Sequence, residues 1–185
     1  MRLLAIDGSP AGGGRTEVVL RAILEGSRGA GADQTDVLSL AERDVRGMAE
    51  VVQRLEQADG FVFGSPVYRA TYAWPLKLLL DHLPRGMWGE PTAPLRGKPV
   101  AIAMTGASLH HFLALNDLRG VLSVFFAAHV LPPGVYVPRE GFADEPGAAL
   151  QAPYAAQAEL TGRALVESAE ALARSTALRL LEPQA

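Results

Sequence analysis

Leu3-Leu4-Ala5-Ile6-Asp7-Gly8-Ser9-Pro10-Ala11-Gly12-Gly13-Gly14-Arg15-Thr16 is the stretch whose reading decides the fold. Its apolar start stops abruptly at Gly8-Ser9-Pro10, as expected of a short strand buried on both faces. A Gly-rich loop follows. From Thr16 to Leu24 the apolar residues Val19, Ala22 and Ile23 then recur at helical spacing. Gly26, Gly29 and Gly31 are expected to end that helix.

The same strand–turn–helix pattern continues along the chain. Thr35 to Leu40 reads as a second strand, and Met48 to Ala58 as a helix with Val51, Val52 and Leu55 inward. Phe61-Val62-Phe63 is a third strand, stopped by Gly64-Ser65-Pro66. Trp74 to Leu83 is a helix ended by Pro84. Pro99 to Met104 is a fourth strand, stopped at Thr105-Gly106. A helix from Phe112 to Ala127 and a fifth strand from His129 to Val137 complete the series. Pro153 opens a last, Ala-rich helix with Leu165, Ala169 and Leu172 on one face. Such alternation predicts an α/β fold: a doubly wound, five-stranded parallel sheet of order 2-1-3-4-5, joined by right-handed crossovers. With no repeat or linker, residues 1–185 read as one domain. Arg85 to Gly97 and Glu140 to Pro153, both rich in Gly and Pro, read as surface loops.

Composition narrows the function. The 185 residues suffice for one buried core. Seventeen basic against twenty acidic residues leave a formal charge of −3, which argues against nucleic acid as a partner. No cysteine is present, so disulfides, thiolate metal sites and cysteine nucleophiles are excluded. The four histidines show no metal-ligand spacing, and no metal is expected. The apolar run before Asp7 is too short for a signal peptide, and no stretch suits a membrane span. A cytoplasmic protein is expected.

In an open parallel sheet, ligands bind beyond the carboxyl ends of the strands. Three strand ends carry unusual loops: Gly8 to Thr16, Gly64 to Tyr68, and Thr105 to Ser108. In the order 2-1-3-4-5 these three strands are neighbours, so their loops converge. The first suits a phosphate, because small residues bare the backbone N–H groups and a helix N-terminus follows. Ser9 and Thr16 add hydroxyls and Arg15 a guanidinium. The plain alternative is a βα turn with Thr16 as its cap. A Walker loop would need Gly-Lys-Ser/Thr where Gly14 and Arg15 stand, and Pro10 breaks a dinucleotide G-x-G-x-x-G. A mononucleotide fits better. The second loop suits a planar ring, with Pro66 and Val67 as stiff backbone and Tyr68 as an aromatic face. Alternatively, Tyr68 packs on its own domain.

Gly8-Ser9-Pro10 with Arg15-Thr16, Ala58-Asp59-Gly60, and Gly64-Ser65-Pro66-Val67-Tyr68 resemble the NADPH-dependent FMN reductases of the flavodoxin superfamily. Pro75-Leu76-Lys77-Leu78-Leu79-Leu80-Asp81-His82-Leu83-Pro84, Gly97-Lys98-Pro99-Val100 and Thr105-Gly106 are similar to the branch that supplies reduced flavin to alkanesulfonate monooxygenases. The resemblance runs from Met1 to about Val137. It implies a flavodoxin-like fold and an NAD(P)H-dependent FMN reductase. A hydride would pass from NAD(P)H to FMN and on to a small acceptor, such as free flavin or a quinone, by ping-pong turnover. Ser9, Arg15 and Thr16 would hold the phosphate. Pro66, Val67 and Tyr68 would line the isoalloxazine, and Thr105, Gly106 and Ala107 would meet its other side, with Ser108 and His111 nearby.

No catalytic residue is named, because the flavin itself carries the chemistry. His110 and His111 read as hydrogen-bonded surface, and His82 and His129 as structural. An alternative function is a flavodoxin-type FMN electron carrier, although such carriers are usually more acidic. The sulfonate branch also carries an extra residue, commonly Tyr, that makes a π-bulge in the helix after Thr-Gly. Here Leu113 to Leu118 runs one residue short, which favours a reductase that keeps its FMN over a flavin supplier to a monooxygenase. The helix from Trp74 to Leu83 is apolar nearly all round, and with the resemblance it points to a homodimer or homotetramer.

Overall fold

A computed structural model describes residues 1–41, 48–143 and 149–184. In chain order its elements are β1 (Arg2–Asp7), α1 (Arg15–Gly29), β2 (Gln34–Ser39), α2 (Met48–Glu56), β3 (Gly60–Tyr68), β4 (Thr71–Tyr72) and α3 (Trp74–His82). There follow β5 (Pro99–Gly106), α4 (Ala114–Gly120), β6 (His129–Val130), β7 (Val135–Pro138), α5 (Ala152–Ala173) and α6 (Thr176–Arg179). The main sheet runs β2-β1-β3-β5-β6, all parallel, and is the expected order.

Side chains alternate along each strand, and the helices bury them on both faces. Leu4, Ile6, Phe61, Phe63, Ile102 and Met104 pack against the α2–α3–α4 side. Leu3, Ala5, Val62, Ala101 and Ala103 pack against Val19, Leu20 and Ile23 of α1 and Leu165 and Val166 of α5. This double burial is why the strands read as continuous apolar runs.

Four boundaries differ from expectation, each for a local reason. Helix α1 does not stop at Gly26 but runs to Gly29. Gly26 lies where α5 crosses: a Cβ there would sit 2.3 Å from the Glu159 carbonyl oxygen, and one at Gly162 would sit 2.0 Å from that of Ile23. These glycines let two backbones touch. The Ser27 hydroxyl seals the crossing, donating to the carbonyls of Ile23 and Gly162.

Gly64 to Tyr68 is not a loop. It continues β3 into a hairpin with β4, pairing Val67 with Tyr72 and Tyr68 with Thr71. The fifth strand is two pieces, because Pro132 and Pro133 offer no N–H to the ladder. Finally, the helix after β5 begins as a 3₁₀ turn at Leu109–His111, continues as α4 and finishes in a π turn at Val121–Phe125. The π turn lies beyond Leu113–Leu118, the stretch that reads as one residue short; from Ala114 that stretch is ordinary α-helix. Ser123 supplies a reason for the turn, since its hydroxyl donates to the Arg119 carbonyl at 2.7 Å and competes with the α-helical ladder there.

Of the loop expected from Glu140 to Pro153, residues 144–148 lie outside the described residues. Among the described residues no helix is long and apolar enough to cross a membrane.

Candidate functional site

The carboxyl ends of β1, β3 and β5 lie side by side. Asp7 is in register with Gly64, and Pro66 with Thr105. The loops that leave these strands therefore share one edge of the sheet, as the strand order demands.

The first loop, Gly8 to Gly14, is shaped by its glycines. Gly12 and Gly13 hold φ of +63° and +61°, which other residues adopt only under strain. Gly8 is pinned by close contact, its N–H donating to the Gly64 carbonyl at 2.8 Å. Helix α1 opens at Arg15 with Gly14 as its cap, and no side chain caps it. Its positive end thus faces the loop, the arrangement that binds anions elsewhere.

Ser9 and Thr16 are both buried here. Thr16 Oγ1 lies 3.1 Å from Thr105 Oγ1, a hydrogen bond that ties the first loop to the third. Buried hydroxyls from positions 89 residues apart are a constructed polar floor. The Arg15 side chain is exposed, and its guanidinium rests 5.4 Å from the centroid of the Phe142 ring.

The second element is the hairpin. Pro66 and Val67 are half-buried, and Tyr68 is 54% exposed, so Tyr68 does not pack into its own domain. Ser65 fixes the hairpin, accepting from Ala73 N–H at 2.8 Å and donating to the Pro66 carbonyl at 2.9 Å. The connecting residues Arg69 and Ala70 hold φ of 53° and 69° with no glycine to ease them. Two-residue hairpin turns require that conformation. Strain held in this way is common beside functional sites.

The third element follows β5. Gly106 makes room there, because a Cβ would lie 2.0 Å from Tyr136 Oη and force the tyrosine to move. That hydroxyl donates to the Ser108 carbonyl at 2.6 Å and anchors the turn. Ala107 is exposed. Ser108 Oγ lies 3.3 Å from His110 Nδ1 and 3.5 Å from His111 Nδ1, so both histidines sit at the surface near this edge. The ring nitrogens of His82 and His129 meet the carbonyls of Leu78 and Leu178, consistent with structural roles.

Three residues of this edge were not singled out in the sequence. Asp7 is fully buried and accepts from the Ser9 N–H at 2.9 Å, and Glu17 accepts from the Gly13 N–H at 3.0 Å. Tyr136 closes the third turn from β7. Asp7 has a legible signal, an acid ending an apolar run. Tyr136 has none, because only the tertiary fold brings it to Gly106.

Comparison with known proteins agrees with this architecture. The family model for NADPH-dependent FMN reductase matches residues 1–142. The chain is 42% identical over 91 residues to the NADH-dependent FMN reductase SfnF of Pseudomonas putida, a match covering 49% of this chain and 45% of that one. It therefore spans about half that relative's length. It is 31% identical over 141 residues to FMN reductase (NADPH) of Escherichia coli, covering 71% of this chain and 70% of that one. Among solved structures, the apo form of an NADH:FMN oxidoreductase (EmoB) superposes with a TM-score of 0.74 at 24% identity, covering 96% of this chain and 93% of that one. An archaeal flavodoxin superposes at 0.61 with 14% identity, covering 92% and 99%. Both structures speak to the fold. On these matches the chain belongs to the NADPH-dependent FMN reductase family, built on a flavodoxin-like domain.

Proposed function

We propose that this protein reduces FMN with NAD(P)H and passes the electrons to a small acceptor, free flavin or a quinone among them, in ping-pong fashion. The observation that carries the reading is the floor of buried hydroxyls, Ser9, Thr16 and Thr105, set beneath an uncapped helix N-terminus. Those groups fit a phosphate: donors, little bulk and a positive dipole. The stiff hairpin at Pro66, Val67 and Tyr68 and the turn at Thr105, Gly106 and Ala107 fit the two sides of a planar ring. FMN, when bound, carries the hydride between donor and acceptor. The protein's residues would bind and orient that ring and supply no obligatory acid or base.

Assembly into a homodimer or homotetramer is part of the reading. Helix α3 turns Pro75, Leu76, Leu79 and Leu80 inward, so its outward apolar surplus is smaller than its sequence suggests. Trp74 remains 57% exposed, and Leu113, Val124 and Phe125 extend the apolar surface along the following helix. A cavity of about 480 Å³ lined by Lys77, Leu80, Trp88, Val121 and Phe125 lies between them. A working place in the cytoplasm agrees with the absence of cysteine.

Anaerobic mixing of protein, FMN and NADH or NADPH tests the activity. Rapid bleaching of the visible flavin band is the expected result. Tight FMN binding without bleaching by either nucleotide would indicate an electron carrier instead.

A further inference from the structure

Besides Gly8, whose N–H is held by the Gly64 carbonyl, two N–H groups of the loop after β1 have carboxylate partners. Ser9 N–H donates to Asp7 Oδ1 at 2.9 Å, and Gly13 N–H donates to Glu17 Oε2 at 3.0 Å. These donors are among those an incoming phosphate would use. The two acids differ in freedom. Asp7 is locked in the centre of the sheet, in register with Ser39 on one side and Gly64 on the other, with no exposed surface. Its Oδ2 is buried and has no hydrogen-bond partner. Glu17 lies outside both cores on the first turn of α1, and its Oε1 accepts from Arg21 Nε at 2.8 Å.

Resting on the reading of this loop as the flavin-phosphate site, we infer that Asp7 and Glu17 are internal competitors for the phosphate that keep FMN exchangeable. Glu17 can swing away with Arg21, but Asp7 cannot leave. A phosphate settling on the loop therefore meets a fixed carboxyl, and binds best when that carboxyl takes up a proton from solvent and donates through Oδ2. Burial already pushes the Asp7 carboxyl above its ordinary range. The Ser9 N–H opposes that shift and the charge of Glu17 adds to it. Among the described residues, the neighbours in register on β2 and β3 carry no charge. Arg15 lies over Phe142, and Arg21 is engaged by Glu17. The sign follows: proton uptake accompanies binding, so affinity for FMN falls as pH rises through the Asp7 titration.

The experiment is fluorescence-quenching titration of the full chain with FMN and with riboflavin, which has the ring but no phosphate. Wild type, Asp7→Asn and Glu17→Gln are compared at several pH values. Glu17→Gln keeps an acceptor for Gly13 and removes only the charge. The expected result is about tenfold tighter FMN binding in Asp7→Asn, the equivalent of one pK unit. Glu17→Gln is expected to gain roughly two- to fivefold, as suits a partly exposed charge. Riboflavin should be unmoved in both. FMN's own phosphate ionises near pH 6, so the difference between the wild-type and Asp7→Asn profiles is the measure; it should grow with pH. Unchanged or weaker FMN affinity in the variants overturns the inference alone, as does an equal gain for riboflavin. Should Asp7→Asn fail to fold, Glu17→Gln decides. No quenching by FMN in any protein overturns the site reading and the inference with it.

Discussion

Gly106→Ala is the sharpest probe of how the third turn is held. The added methyl would sit 2.0 Å from Tyr136 Oη and 3.0 Å from Cζ, so the tyrosine must move. Moving it breaks the 2.6 Å bond to the Ser108 carbonyl, worth about 0.5–1.5 kcal/mol. Forcing a methyl into filled space adds about 1–3 kcal/mol. The expected cost is therefore about 2–4 kcal/mol, or a fall in Tm of roughly 4–16 °C for a chain of this size. Tyr136→Phe alone should cost only the hydrogen bond, about 1 kcal/mol. Combining the two removes the atom that clashes. The nearest remaining contact is the ring carbon at 3.0 Å, which a small shift can relieve. The double variant should thus be no less stable than Gly106→Ala, with a coupling of about 1–2 kcal/mol opposing additivity. Denaturant unfolding of the four proteins measures this cycle, and FMN quenching follows the site in parallel. Strictly additive costs would refute the reasoning, because they would mean that Gly106 and Tyr136 act independently.

Four further outcomes follow from the same structure. Gly162→Ala should cost about 3 kcal/mol or more by thermal melting, because its Cβ would meet backbone atoms of Ile23 and Ser27 at 2.0 and 2.6 Å, while Gly13→Ala, with open space around it, should cost only about 1 kcal/mol of backbone strain. Lys98→Met should lose about 1–2 kcal/mol in chemical unfolding, since Lys98 Nζ donates to the carbonyls of Leu55, Glu56 and Ala58 and closes the end of α2. Asp7, with its carboxyl pushed up by burial, contributes stability that is fully present below its unfolded pKa and lost as pH rises through its folded value; wild type should therefore lose Tm relative to Asp7→Asn as pH rises above the ordinary carboxylate range, and parallel profiles would count against it. Arg15→Ala should weaken FMN binding about tenfold at most in a quenching titration, because the guanidinium must leave the Phe142 ring to reach a phosphate.

The sheet was legible in the sequence because its central strands are buried on both faces and so carry uninterrupted apolar runs, as in Leu3 to Ile6 and Phe61 to Phe63. The convergence of the three loops was legible too, since strand order alone places them together. What was not legible was decided by distant contacts. Gly26 reads locally as a stop, yet it is the crossing point for a helix more than a hundred residues away. Pro66 to Tyr68 reads as a loop, yet pairing with Thr71 and Tyr72 makes it strand. The π turn depends on a serine hydroxyl reaching its own helix, a competition that hydrophobic periodicity does not register.

These differences bear on how the flavin is held. On the sequence reading, the short Leu113–Leu118 stretch favours a bound prosthetic group, and from Ala114 it is regular α-helix. The residues beneath the phosphate loop point the other way. A phosphate-retaining site gains from neutral donors and cations, yet this loop places a fully buried acid and a second carboxylate on its own N–H groups. Arg15, the nearby cation of the loop, is held on an aromatic ring. A helix dipole and three hydroxyls attract the anion, while two like charges limit how tightly it stays. That balance suits a flavin that arrives oxidised and departs reduced. It also makes Asp7, rather than the helix insertion, the residue on which the distinction between substrate and prosthetic group turns.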